Sequence, residues 1–286
     1  AIAADVELVL LDEWAHDCLR EATRHLDQLK QPPIVFRHRD AGHVAELLAA
    51  HVQPGWRAMI MTDGVFSVSG HIAPLADYLS ILDRYDGSML LVDDSHGLAV
   101  LGEEGRGSLE WAGVAAQRVN RLDDGVLDGS RVFHSATLSK AIGGHGGVIA
   151  GTTAFLDRVR RASGWYRAAS APAAPVAAAT AKALEIVQGD PALRRQLASN
   201  VKMLRSGLRN LGLEVEDSPS PIVGIALDSA EAMQAVWQRL MDVGIAVAYA
   251  RDYAGAGHLG MLRIAVFATH TPAMIQRLVE SLRRAL

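Results

Sequence analysis

Short apolar runs alternate with helical patterns along the first ninety residues. Val6–Leu11, Ile34–Phe36, Ala58–Met61 and Met89–Val92 are almost continuously apolar, as strands buried on both faces would be. Between them Glu13–Leu29, Gly42–His51 and Ala73–Tyr85 carry helix-like spacing. This β–α–β alternation predicts a mainly parallel sheet covered by helices. Three runs end in polar residues: Asp12-Glu13 after Leu11, Thr62-Asp63-Gly64 after Met61, and Asp93-Asp94-Ser95-His96 after Val92. Ligands of open α/β sheets bind beyond the carboxyl ends of the strands, so these endings mark the expected crevice.

The pattern changes after residue 140. Ala168–Ala183 is rich in alanine, with Pro172 and Pro175 near its start, and leads into a helical pattern through Leu211. A strand (Ile222–Leu227), a helix (Ala230–Val243), the runs Ile245–Ala250 and Leu262–Phe267, and a last helix from Pro272 to Leu286 follow. Asp228-Ser229 and Thr271-Pro272 are suited to start helices. The reading is a large domain over 1–170 and a smaller α+β domain over 171–286. The polar stretch Ala115–Asp128 reads as an exposed insertion. Ala1 precedes the first strand-like run almost directly, so an N-terminal part of the large domain is expected to lie outside these residues.

Composition narrows the function classes. Half the residues are hydrophobic and the formal charge is −4, with no basic stripe of the kind that binds nucleic acid. No apolar run reaches membrane-spanning length. The one cysteine, Cys18, can form no internal disulfide and has no metal-binding spacing around it, so no metal site and a reduced, cytoplasmic setting are expected.

Lysine is scarce: of 28 basic residues only four are Lys, at 30, 140, 182 and 202. Lys140 stands between Thr137-Leu138-Ser139 and the glycine-rich Ala141-Ile142-Gly143-Gly144-His145-Gly146-Gly147. That setting suits a lysine used for its amine, which can form a Schiff base where arginine cannot. An electron-sink cofactor such as pyridoxal phosphate (PLP) asks for such an amine, an acid for its pyridine nitrogen and donors for its phosphate. Asp93 or Asp94 is placed to be the acid, because a carboxylate favours the protonated ring. His96 is spaced to reach the phenolic oxygen, and Thr137 to bind phosphate with the N–H groups of the glycine run.

The motifs Thr62-Asp63-Gly64-Val65-Phe66-Ser67, Val92-Asp93-Asp94-Ser95-His96-Gly97, Gly102-Glu103-Glu104-Gly105-Arg106-Gly107-Ser108 and Thr137-Leu138-Ser139-Lys140 occur in this order. Together they resemble the α-oxoamine synthases, PLP enzymes of the aspartate aminotransferase (type I) fold. The resemblance runs from about Leu8 to the C-terminus. It implies that Lys140 is the Schiff-base lysine and proton-transfer group, and that Asp93 pairs with the pyridine nitrogen. It also implies that His96 and Ser67 sit at the phenolic oxygen, that Thr137 binds phosphate, and that His16 stacks on the ring. Arg263, in Leu262-Arg263-Ile264, matches the arginine that grips the amino-acid carboxylate. The Arg106 motif reads as structural or interfacial.

The implied activity is condensation of a small amino acid with an acyl-CoA, or an acyl-carrier thioester, to give an α-amino ketone by a homodimer. Aminotransfer or retro-aldol cleavage on the same fold, and a non-catalytic partner subunit, are the alternatives. The chain departs from the family in its expected N-terminal part and in the extra length between His96 and Lys140. It departs again at Ala168-Ala169-Ser170-Ala171, where relatives place more hydroxyls for a neighbouring subunit's phosphate.

Overall fold

The computed structural model describes residues 6–26, 29–116, 119–120 and 132–286. The chain forms two compact units, Ala1–Val65 with Ala73–Ile186, and Phe66–Ile72 with Val187–Leu286. Most of the insertion read over 115–128 lies outside the described residues.

The first unit is built on a sheet of six strands. They are β1 (Leu8–Asp12), β2 (Ile34–Phe36), β3 (Ala58–Asp63), β4 (Met89–Asp93), β5 (Val132–Thr137) and β6 (Gly147–Val148), in the spatial order β2-β1-β3-β4-β5-β6. The first five pair in parallel and β6 is antiparallel to β5. Every residue of β1 and β3 is buried, which is why these runs carry no polar alternation until their last residues. Helices α1 (Asp17–Thr23), α2 (Ala41–His51), α3 (Leu75–Leu82) and α4 (Ser108–Trp111) connect the strands, and α5 (Thr153–Ala162) and α6 (Ala174–Gly189) follow the last of them. Val9, Leu11, Met59, Met61, Phe133 and Phe155 form one apolar cluster of this unit.

Register then determines where the polar ends fall. Thr62 stands opposite Val92, and Asp63 opposite Asp93, which in turn stands opposite Ser135. One step along β1, Leu11 pairs with Met61, so Asp12 ends its strand beside Thr62. The strand endings picked out from the sequence therefore share one rim of the sheet.

The second unit has a three-stranded antiparallel sheet, β7 (Ile222–Ile225), β9 (Met261–Ala265) and β8 (Ala248–Ala250) in that spatial order. It packs with α7 (Pro191–Arg209), α8 (Ala230–Asp242) and α9 (Pro272–Ala285) around Leu204, Leu208, Val236, Leu240, Leu262 and Leu282. The helix starts follow the expected chemistry: Ser229 Oγ accepts from Ala232 N at 3.0 Å, and Thr271 Oγ1 from Met274 N at 3.3 Å. The alanine-rich helical pattern is two helices, because Asp190 caps a new one with Pro191 in its first turn. Contact divides the units inside the end of α6, whereas the compositional change lies nearer residue 170.

Two features give the second unit its shape. Phe66–Ile72 joins it by a bond from Gly224 N to Ser69 O at 3.2 Å. Gly70 lies there at φ +72, and a Cβ on it would meet Ile222 O at 2.0 Å. Arg205 is 3% exposed and donates to the carbonyls of Glu216, Ser220 and Ile222, pinning the approach to β7. Burial lowers its pKa, yet guanidinium starts high enough to stay charged. Arg205→Ala strands these carbonyls, and we expect a loss of roughly 3 kcal/mol in urea unfolding of this unit. A loss under about 0.5 kcal/mol would show the bonds to be replaceable by water.

Candidate functional site

The rim of the first sheet holds three acids with different surroundings. Asp12 is fully buried and accepts from Trp14 N at 2.8 Å, His38 Nδ1 at 3.0 Å and Arg39 N at 3.0 Å. Asp63 is 3% exposed, and its Oδ2 accepts from His16 N at 2.8 Å. Burial pushes the Asp63 carboxyl up to about 8, aided by Asp93 and Asp12 and opposed by the His16 N–H and by Lys140. Asp93 is half-buried and accepts from Ser95 N at 3.0 Å.

His16 caps α1. Its Nδ1 accepts from Cys18 N at 3.2 Å and lies 3.1 Å from Cys18 Sγ. The thiol donates to Asp93 Oδ2 at 3.3 Å. Burial, then the Asp93 charge, push the Cys18 thiol up to about 12, so it acts as a donor and not as a nucleophile. The two residues assigned to opposite aspects of a ring, His16 and Asp93, are thus joined through Cys18.

Lys140 and His96 meet directly, Nζ to Nε2 at 2.8 Å. The turn carrying His96 is tied by Gly97 N and Leu98 N to Asp94 O. The fully buried Asp94 carboxylate receives Ser108 N at 2.7 Å and faces His134 Nε2 at 3.3 Å. A Cβ on Gly107 would lie 1.8 Å from Asp94 Oδ2, at φ +97, so glycine is required there. The Gly102–Ser108 motif therefore serves the turn that bears His96. Thr137 Oγ1 bonds Ser139 Oγ at 2.8 Å and Gly146 O at 3.2 Å, knitting the hydroxyls to the glycine loop. Beyond Lys140, Gly143 at φ +69 has nothing within 4 Å of where a Cβ would stand, leaving open space.

In the second unit Arg263 Nε donates to Ser67 O at 2.6 Å. Burial lowers its pKa and Tyr253 opposes that. Ser67 thus enters through its carbonyl.

Set against known proteins, residues 8–282 match the model of the family described as aminotransferase class I and II. The chain belongs to this family. An 8-amino-7-oxononanoate synthase of Nitrosococcus oceani is 36% identical over 251 residues, which are 88% of this chain and 63% of that protein. The chain thus spans less than two thirds of that relative. Among solved structures, serine palmitoyltransferase from S. paucimobilis with PLP and myriocin bound superposes with a TM-score of 0.85. It is 27% identical and covered to 68% of its length by 99% of this chain. An 8-amino-7-oxononanoate synthase from Francisella tularensis has the same fold, with a TM-score of 0.78 at 22% identity over 99% of this chain and 77% of that one. The α-oxoamine synthase resemblance and the type I fold drawn from the motifs are borne out by these relatives.

Sequence reasoning passed over Asp63 and Cys18. Their signal lies in the polar end of β3 and in the spacing of Cys18 from His16, and neither acquires meaning until the strands are in register. Asp63 yields a pH prediction. Its pKa is raised by folding from 3.8 to about 8. The folded protein therefore keeps a proton that the unfolded chain has released between those values. The stability this supplies is complete below pH ~4 and lost as pH rises through about 8. Asp63→Asn lacks this dependence. Its melting temperature should match the parent's at pH 4 and exceed it by about 5 °C at pH 9. Equal temperatures at pH 9 would contradict the raised pKa.

Proposed function

We propose that this chain is the catalytic part of a PLP-dependent C-acyltransferase that joins a small amino acid to an acyl thioester, releasing the thiol to give a β-keto acid, which loses its carboxylate as carbon dioxide and leaves an α-amino ketone. The observation that carries the reading is the 2.8 Å contact of Lys140 Nζ with His96 Nε2, on a rim that also holds Asp93. The donor set fits PLP: an amine for the aldehyde, a carboxylate for the ring nitrogen, and hydroxyls beside an open glycine turn for the phosphate. When bound, PLP supplies an electron sink that lets the amino acid lose its α-proton and act as a carbon nucleophile.

The residues divide the remaining work. Asp93 carries negative charge that favours a protonated ring nitrogen, and the Cys18 thiol and Ser95 N–H hold its two oxygens in place. Lys140 supplies the amine and then takes and returns the substrate's α-proton at Nζ. His96 steadies that nitrogen and is assigned with Ser67 to the cofactor's phenolic oxygen. Thr137 is assigned to the phosphate, and His16 to the ring face. Arg263 is assigned to the substrate carboxylate, because the bond from Nε fixes the plane of a guanidinium whose fork suits two oxygens. The acyl group comes from CoA or from a carrier protein.

We further propose a cytoplasmic homodimer. The solitary Cys18, which forms no disulfide, accords with a reducing compartment. Among the described residues no helix is long and apolar enough to cross a membrane. Trp165 at 84% and Tyr166 at 58% exposure, and Val176, Leu184 and Ile186 on α6, are apolar side chains left at the surface, and a second copy is proposed to cover some of them.

Adding PLP should produce an absorbance band near about 420 nm that borohydride fixes to Lys140 and that Lys140→Ala abolishes. Glycine or alanine with an acyl-CoA should then release free CoA, whereas conversion of the cofactor to its amine form would indicate aminotransfer instead. Arg263→Lys should lower kcat/KM for the amino acid roughly ten- to hundredfold while sparing the band. A protein without the band, or one whose band survives Lys140→Ala, would overturn the reading.

A further inference from the structure

Asp63 takes no part in the chemistry above, yet it is buried within the same constellation. Its carboxyl is 3% exposed and ends β3 in register with Asp93 on β4. From there it reaches a main-chain group 47 positions away, the N–H of His16. His16 is the N-cap of α1, so its backbone sets the start of the helix and its ring faces back on that first turn. Because His16 Nδ1 accepts the Cys18 N–H at 3.2 Å, a neutral His16 ring carries its proton on Nε2. Cys18 has a single thiol proton, and Asp93 Oδ2 takes it at 3.3 Å. The contacts close a circuit: β3 to His16 through Asp63, His16 to Cys18, Cys18 to Asp93, and β4 back to β3 through the sheet register.

We propose that Asp63 is a positioning residue that latches His16, by its main-chain N–H, in a fixed relation to Asp93. The histidine for the cofactor's face and the acid for its ring nitrogen are then held as one body. This rests on the PLP reading and adds to it a residue assigned no contact with the cofactor. Preorganisation of this kind saves the ligand the cost of ordering its own site.

The charge state of Asp63 supports the latch. The groups that act on it are Asp12 from β1, Asp93 from β4, Lys140 beyond β5, and the His16 N–H, with Cys18 adjoining. Burial and the two acids outweigh the rest, so near neutral pH Asp63 is a carboxylic acid whose unprotonated oxygen receives the N–H. Two ionised carboxylates side by side on adjacent strands would oppose each other; a neutral Asp63 removes that opposition. The latch needs an oxygen acceptor and not a charge. Asparagine should therefore replace Asp63, and alanine should not.

The test compares Asp63→Ala, Asp63→Asn, His16→Ala and the double variant Asp63→Ala/His16→Ala by PLP titration, by the circular dichroism of the bound cofactor band, and by amide exchange at His16. Asp63→Ala should weaken PLP binding about tenfold, reduce the dichroic band, and speed His16 exchange at least about tenfold. Asp63→Asn should stay within about twofold of the parent on all three. The double variant should bind PLP no worse than His16→Ala alone, because Asp63 acts through His16. If alanine does not fold, Asp63→Ser, whose hydroxyl is too short to reach the N–H, takes its place. Additive losses in the double variant, an Asp63→Asn as weak as Asp63→Ala, or unchanged exchange at His16 would each overturn the latch. Absence of the cofactor band in the parent would instead overturn the PLP reading, and exchange at His16 would then decide the latch by itself.

Discussion

The site depends on the parallel register between β3 and β4. That pairing sets Asp63 beside Asp93 at the carboxyl ends of two buried strands. Two like charges at this spacing in a poorly hydrated place cannot both be maintained cheaply. The fold resolves the conflict by unequal burial. Asp63 is buried and kept protonated near neutrality, while Asp93 is half-buried and receives one N–H and one S–H donor. One acid becomes a hydrogen-bonding part and the other a half-buried carboxyl available to a ligand. A slip of one residue in this register would turn alternate side chains to the other face of the sheet and dissolve the arrangement.

The turns that follow the strands inherit their geometry from that rim. After β4 the chain wraps around the Asp94 carboxylate, and lack of a side chain at Gly107 is what lets the wrap close. Its product is the position of His96 against Lys140, a residue that leaves β5 on the neighbouring strand. After β1 the chain passes Asp12 and reaches His16, where Asp63 and Cys18 hold it. The groups thus stand just past the ends of rigid strands, where buried carboxyl groups brace the turns of His16 and His96 and hydroxyls brace the turn of Lys140. Apolar burial supplies the rigidity, and the acids specify the fine position.

Much of this was legible in the residues themselves. The four apolar runs, the polar endings and the motif around Lys140 led to the parallel sheet, its rim and the type I fold. Periodicity was weakest where elements are short or broken. β5 and β6 went unmarked because Val132–Thr137 ends in polar residues and Gly147–Val148 is only two residues long. The helix expected over Glu13–Leu29 is confined to Asp17–Thr23. Long-range partners were not legible at all. Nothing near Asp63 in the sequence hints at the His16 N–H, and nothing near Arg263 hints at Ser67 O. Such contacts follow from strand order and from the path of Phe66–Ile72, and local pattern is silent on both.

The division of labour among the cations follows the same economy of burial. Among the described residues, Arg205 and Arg263 are the two arginines whose pKa burial clearly lowers, and both spend guanidinium N–H groups on main-chain carbonyls. Guanidinium tolerates that setting because its intrinsic pKa leaves it charged even after the loss. A lysine in either place starts from a lower pKa, so burial would bring it closer to losing its charge, and it lacks the planar fork that Arg205 spreads over three carbonyls. For the role proposed at position 140 the requirement is reversed. The amine must be able to give up its proton, form a bond and accept a proton again, which a permanent cation cannot do. The role proposed for Lys140 thus asks for a charge that can be removed, and His96, 2.8 Å from its nitrogen, is the group positioned to share that proton.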